Sequence, residues 1–411
     1  MSISDKSIKQ KKVQDLKLKA LLEVTKAINN NFSTSQLLDL YKEILENRLG
    51  IGKLVLFSFD EEWKCILKYG ISAGHNPIEF ENELLLIEEI KTIGFSQGEL
   101  SKSFEIVIPV FHKKKPLAFV LLSDVNESKL ELSAAIKHLP YIQTLTNIII
   151  VAIENKKLYK ENIHQAKIKR ELDLAQDMQK MLFPKNLPNT DAIQVAALYL
   201  PHQEVGGDYY DFIKLNNHEF IFCIADVSGK GVAAALLMSN IQATFHSLIN
   251  YTHNLKDIII ELNKRVINNT KNEKFVSLFL AKLNIKSQQL TYINAGHNSP
   301  ILFYESKFFE LTKGCTILGV RETLLDIELE ILNYTSEFSL LCYTDGLTDA
   351  NNNKNENISS LTLQDLIFKN KELSPDDFNK NLIEFAKEFK EENEFPDDIA
   401  LLTIKVTDLH F

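Results

Sequence analysis

Residues 220–231 read FIFCIADVSGKG, and residues 205–212 read VGGDYYDF. In each stretch an aspartate stands beside glycine close to an apolar, β-type run. The pattern recurs. Ala196–Leu200 leads to the first cluster, Phe220–Ala225 to Asp226, Phe338–Thr344 to Asp345-Gly346, and Pro396-Asp397-Asp398 precedes a final strand, Ile399–Val406. A carboxylate at a strand end is held rigidly, and an adjacent glycine lets carbonyl oxygens and water approach. Hard divalent ions such as Mg²⁺ and Mn²⁺ take oxygen ligands in octahedral geometry. Four acidic clusters from distant segments converge only if their strands share a sheet or sandwich. One Asp-Gly alone is a turn. Four in this context predict a metal site.

The segment from 172 to 411 resembles the SpoIIE/RsbU branch of the metal-dependent protein Ser/Thr phosphatases (PPM family). The resemblance rests on ELDLAQDMQKMLFP (171–184), VGGDYYDF (205–212), IADVSGKGVAAALLMS (224–239), EKFVSLFLAKL (273–283), INAGHNSPILF (293–303), GCTILGV (314–320), YTDGLTDA (343–350) and PDDIALLTI (396–404). It implies two β-sheets packed face to face and flanked by helices. It also implies two divalent ions, Mn²⁺ or Mg²⁺, that activate a water for attack on phosphorus, with no covalent intermediate. Carried over by motif, the metal-binding positions are Asp208, Asp226, the carbonyl of Val227, Asp345, Asp397 and Asp398, with Asp226 bridging both ions and Asp208 and Asp226 central to catalysis. Asp211 reads as a supporting carboxylate. His297-Asn298 reads as a structural turn or a proton donor. Lys230 lies in the metal loop, facing either the site or solvent. The implied substrate is a phosphorylated STAS-type anti-anti-sigma protein in a partner-switching pathway. A phosphatase-like domain that only binds a partner would have lost a metal aspartate, and all the expected positions are filled.

The remainder of the chain reads as an α+β sensor and a connector. Leu18, Leu21, Leu22, Thr25 and Ile28 recur at helical spacing over 14–30. Ser33-Thr34-Ser35 caps a second helix bearing Leu37, Leu38, Tyr41, Ile44 and Leu45. Strand-type runs follow at Lys53–Phe59, Trp63–Tyr69, Phe104–Phe111 and Pro116–Ser123, and a long helix is predicted from near Leu132 past Lys160. Residues 14–150 resemble a GAF-type sensor or dimerisation domain in architecture. His75, His112 and His138 are scattered and form no haem or cluster site. Residues 151–184 read as a helical linker and 185–411 as the catalytic domain. A heptad register places Val151, Leu158 and Leu172 with Ile168, Ala175 and Leu182 on one stripe, while Glu154, Glu161, Gln165 and Gln179 make the seam half polar. That is a weak coiled coil, ended by Pro184. It predicts a homodimer. Leu172, Ala175, Met178 and Leu182 share a helix face just ahead of the catalytic domain. By the resemblance they form a regulatory switch.

Composition agrees. Of 411 residues, 45% are hydrophobic and 25% charged, with a net charge of −9. This is the profile of a globular chain and counts against a nucleic-acid binder or a metal-dependent nuclease. Cys65, Cys223, Cys315 and Cys342 make no CxxC pair, against zinc-ribbon and thioredoxin readings, and four scattered cysteines make no disulfide scaffold, so a reducing cytoplasm is expected. The greasiest run, Ile148–Ile153, is too short to span a bilayer. No signal peptide or membrane span is expected.

Overall fold

A computed structural model describes residues 3–60, 62–71, 84–93, 104–113, 115–123 and 134–407. The chain divides into two compact units, Met1–Ala166 and Lys167–Phe411.

The first unit opens with α1 (Ile3–Asn29) and α2 (Thr34–Glu43), followed by a π-helical turn over Ile44–Arg48. The predicted cap forms at Ser33. Its hydroxyl accepts from the Gln36 amide, and the Gln36 side chain accepts from the Ser33 N–H, so two otherwise orphaned donors are satisfied. An antiparallel sheet follows, built from β1 (Lys53–Asp60), β2 (Glu62–Tyr69), β3 (Lys91–Thr92), β4 (Ile106–His112) and β5 (Lys115–Ser123) in the order β2-β1-β5-β4-β3. Alternation along the strands divides the core. Leu54, Leu56, Ile108 and Val120 meet Val24 of α1, Tyr41 of α2 and Ile142 and Leu145 of the later helix, whereas Val55, Phe57, Val107 and Phe119 line the opposite face. Two short helical pieces complete the connection: α3 (Ala134–Lys137) and the start of α4 (Leu139–Lys180). The expected helix start near Leu132 and His75 lie outside the described residues.

The second unit contains two sheets among the described residues. One runs β13-β10-β9-β8-β7, with β14 also on β10, and the other runs β12-β11-β15-β16-β6. Their strands are β6 (Ile193–Leu200), β7 (Tyr209–Lys214), β8 (Glu219–Val227), β9 (Val276–Asn284), β10 (Gln289–Ala295), β11 (Ile301–Tyr304), β12 (Lys307–Glu310), β13 (Gly314–Cys315), β14 (Glu330–Asn333), β15 (Phe338–Tyr343) and β16 (Ile399–Val406). Leu340 and Cys342 of β15 and Leu402 and Ile404 of β16 join the core that includes Cys223 and Phe279 of the first sheet. The intervening Leu341, Tyr343, Ile399 and Leu401 pack against α8 (Ser360–Lys369) and α9 (Pro375–Phe389). Strands covered on both faces read as continuous apolar runs, which is why Phe220–Ala225 shows no alternation. The mixed helix-and-sheet class and the sandwich architecture are as expected from the sequence.

One composition-based expectation needs correction. By length and composition α5 (Gly231–Ile249) could cross a membrane, where the sequence reading singled out only the shorter run at 148–153. Here Ala234, Leu237, Met238, Ile241 and Phe245 pack into the same core as β8, with α6 (Leu255–Thr270) alongside. Val232 and Leu236 of the same helix are exposed.

Candidate active site

The acidic segments meet where strands of both sheets end. β7 and β8 pair antiparallel with Tyr209 opposite Ala225, so Asp208, just ahead of β7, comes beside Asp226. β15 and β16 pair with Tyr343 opposite Leu401, which brings Asp345 to the 396–398 turn.

Asp208 is only 2% exposed. Its carboxyl is held well above the ordinary range, first by burial and then by Asp226, with Asp398 and Asp345 adding repulsion. Asp226 is pushed up to about 7, chiefly by burial, then by Asp345 and Asp397. A hydrogen bond to Asp208 partly offsets this. Asp345, first residue of the short α7 (Asp345–Thr348), is raised by burial and by Asp349 and Asp397, while the Gly346 N–H and Lys230 act against the rise. Buried like charges that raise one another's proton affinity are under-compensated in positive charge. Asp397 is the more exposed member. Its Oδ2 pairs with Lys230 Nζ at 2.9 Å, and its Oδ1 accepts from the Asp398 N–H at 2.9 Å.

Asp398 stands apart. Its Oδ1 accepts from the His202 N–H and its Oδ2 from the Gly207 N–H, both at 2.7 Å. Expected among the ligands, it instead secures the backbone of the 202–207 segment behind the cluster. Glycine is required at that place: a Cβ on Gly206 would stand 2.0 Å from Asp398 Oδ2, and one on Gly207 would stand 2.8 Å from the Val227 carbonyl oxygen. The Gly207 backbone thus lies close against the Val227 carbonyl.

Three supporting residues escaped the sequence reading. Thr344, fully buried, donates to Asp208 Oδ2 at 2.6 Å and accepts from the Ala400 N–H at 2.8 Å. It thereby ties Asp208 to the β15–β16 pair. Tyr199 places its buried hydroxyl against the same cluster, and burial, Asp398 and Asp208 together push its ionisation upward. Gln179, 5% exposed at the end of α4, brackets Gly206: its Nε2 donates to Gly206 O at 2.7 Å, and its Oε1 accepts the Gly206 N–H at 3.2 Å. A serine or threonine ahead of Asp-Gly was the available hint for Thr344. The sequence marks Gln179 only as a seam residue of the linker, and nothing local marks Tyr199.

The remaining candidates fall as follows. Asp211 is buried on the α5 side of β7, accepting from the Tyr209 hydroxyl and the Phe212 N–H and pairing with His246 Nε2 at 2.6 Å. It is a structural carboxylate. His297 is 6% exposed, with Nδ1 at 2.7 Å from Ser277 Oγ and its N–H donated to Asn294 Oδ1. Burial lowers its pKa to about 4. Ser277 is the strand partner of Asp226, so His297 acts through packing behind the site. Leu172 of α4 and Leu182 of the turn after it are half-buried, but on α4 Ala175 is exposed and Met178 is 70% exposed. The packed face runs through Leu172 and Gln179 and continues into Phe183 just past the helix, a rotation from the expected one. Phe183 stacks near Tyr199 and Tyr210, with centroids 4.9 and 4.8 Å away. Cys223 and Cys342 are core residues whose thiols burial pushes up.

Among the described residues no three His, Cys, Asp or Glu side chains are gathered into a ligating cluster. The donors nonetheless suit a hard divalent ion: they are all oxygen and they are under-compensated in positive charge.

Comparison with known proteins accords with this geometry. Residues 216–407 match the family model of stage II sporulation protein E (SpoIIE). The chain is 28% identical over 246 residues to the phosphoserine phosphatase RsbU of Bacillus subtilis (strain 168), covering 59% of this chain and 71% of RsbU. It is 25% identical over 244 residues to the phosphoserine phosphatase RsbP of the same organism, covering 58% of each. The solved SiaA-PP2C domain of Pseudomonas aeruginosa superposes with a TM-score of 0.52 at 19% identity, over 58% of this chain and 97% of that domain. Residues 216–407 of the sandwich unit therefore form a SpoIIE-type domain homologous to the phosphoserine phosphatase RsbU, in a fold shared with the SiaA-PP2C domain.

Proposed function

We propose that the chain is a metal-dependent protein serine/threonine phosphatase that hydrolyses phosphoserine or phosphothreonine on a STAS-type regulatory protein in a partner-switching pathway. The observation that carries this reading is the convergence of Asp208, Asp226, Asp345 and Asp397 where the paired strands end, a place where burial first and neighbouring carboxylates second raise the Asp226 carboxyl to about 7 and call for cations. Asp208, Asp226, Asp345, Asp397 and the Val227 carbonyl would hold two ions, Mn²⁺ or Mg²⁺. When bound, these would supply a nucleophilic water at neutral pH and neutralise charge on the phosphoryl oxygens. The chain's own work is positioning. Thr344 orients Asp208, Asp398 fixes the Gly207 backbone, and Gln179 fixes Gly206. The phosphoserine phosphatase relatives support the substrate class.

We assign residues 14–150 to a GAF-like sensor, 151–184 to the linker and 185–411 to the catalytic domain of a cytoplasmic homodimer. The test uses the purified full chain with Mn²⁺ on phosphorylated STAS proteins, with duplex DNA as control. Release of phosphate from the protein and no cleavage of DNA is expected. No release at any Mn²⁺ or Mg²⁺ concentration would favour a binding-only regulator.

A further inference from the structure

A phosphoryl dianion calls for positive charge from the chain as well as from metal. Lys230 sits in the turn between β8 and α5, between Gly229 at φ +93° and Gly231 at φ +70°. These are left-handed conformations that other residues rarely adopt, and they turn the loop sharply on both sides of Lys230. Its ammonium reaches across to the last acidic segment, pairing with Asp397 Oδ2 at 2.9 Å and donating to the Pro396 carbonyl. Its charge is also felt by Asp345. The pair lies at the mouth of the cluster, with side chains 43% and 38% exposed. A second ammonium adjoins the same loop, since a Cβ on Gly229 would stand 2.4 Å from Lys274 Nζ. The Lys274 segment is clamped there: Ser228 N–H donates to Phe275 O, and Phe275 N–H donates to Ser228 Oγ, both at 2.9 Å.

An ammonium at Asp397 and Asp345 occupies the electrostatic place of a cation. Divalent ions on those carboxylates would replace its attraction by repulsion. Lysine is a point charge on a four-carbon stem, free to turn to another anion nearby. We propose that Lys230 is a phosphate-binding residue: it neutralises Asp397 in the metal-free protein and transfers to the substrate's phosphoryl oxygens once the carboxylates are loaded, with Lys274 supporting it. The ligand class is a phosphomonoester dianion. This rests on the phosphatase reading.

The test uses the full chain with Mn²⁺ alone and inorganic phosphate as probes, both read by calorimetry. Lys230→Gln should bind Mn²⁺ about 3- to 10-fold more tightly, because the competing ammonium is gone. The Mn²⁺-loaded variant should bind phosphate about tenfold more weakly, and Lys230→Arg should recover most of the phosphate affinity. Unchanged or weaker Mn²⁺ binding by Lys230→Gln, or unchanged phosphate binding, would make the pair a static latch and overturn the proposal. Should Lys230→Gln fail to fold, Lys230→Arg and Lys274→Gln carry the phosphate measurement, with Lys274→Gln expected to bind phosphate more weakly. Neither probe needs turnover. A wild-type protein that binds both probes as described but leaves phosphoserine intact refutes the phosphatase reading alone.

Discussion

Asp226 and His297 titrate in opposite directions, and each gives a separable prediction. The Asp226 carboxyl stands near 7 in the folded chain against about 3.9 unfolded, so it is the folded state that holds the extra proton between those values. The folded metal-free protein is thus penalised increasingly as pH rises from 4 to 7, and fully above. Asp226→Asn should raise its stability at pH 8 in chelator by ~2–4 kcal/mol, with the gain vanishing near pH 4. The same substitution should abolish turnover, and Asp345→Asn and Asp397→Asn should each cost at least ~10²-fold. Urea unfolding and phosphate release check the two halves, and an active Asp226→Asn would sink the site assignment. His297 behaves conversely. With a folded pKa of about 4 against an ordinary 6.5, the unfolded chain takes up its proton first, so stability falls as pH drops through that window. Relative to His297→Gln, the wild type should lose ~2 kcal/mol between pH 7 and pH 5, measured on the difference so that the aspartates cancel. Parallel curves would place His297 in contact with water.

At the scale of elements, what could be read in advance follows from how local the cause is. The α2 cap was legible because Ser33 and Gln36 are three residues apart, and the aspartates were legible because each adjoins an apolar run. Thr344 and Asp398 act across 136 and 191 residues of sequence, on Asp208 and Gly207, so their local motifs mark the residues but not these partners. The face of α4 was misjudged by rotation, because a polar residue, Gln179, occupies the buried position that a hydrophobic rule assigns to Ala175 or Met178. That residue makes the end of α4 a structural part of the metal segment. Gln179→Ala removes both bonds to the Gly206 backbone and leaves buried groups unpaired, at a cost of ~1–3 kcal/mol local to the loop. It should raise the Mn²⁺ concentration needed for half-maximal activity, whereas Lys180→Ala on the exposed side should not. Leu172→Ala with Leu182→Ala, which loosens the same helix, should act in the same direction. Identical Mn²⁺ titrations for all of these variants would show that the helix carries no signal to the site.

For the whole molecule the question is what the middle of α4 meets. Val151, Leu158, Ile163 and Ile168 are each at least 40% exposed along this helix. Val151 and Leu158 are seven residues apart on the heptad stripe, and Ile168 lies on its second row. Isolated exposed apolar residues are ordinary, but a stripe at heptad spacing on one long helix is the pattern that a second helix covers. The intervening Glu154, Glu161 and Gln165 would weaken such pairing and make it reversible. The full chain should therefore be a dimer at micromolar concentration by light scattering. Leu158→Glu with Ile168→Glu should shift it to monomer, since each change sets a like charge against its copy across the seam. The melting temperature of each monomeric unit should stay nearly unchanged, because both positions are outside the two cores. If the linker relays a signal through the dimer, the same pair should also raise the Mn²⁺ requirement, as Gln179→Ala does. A variant that stays dimeric would mean that the stripe is not the seam, and a wild type already monomeric would remove the dimer altogether.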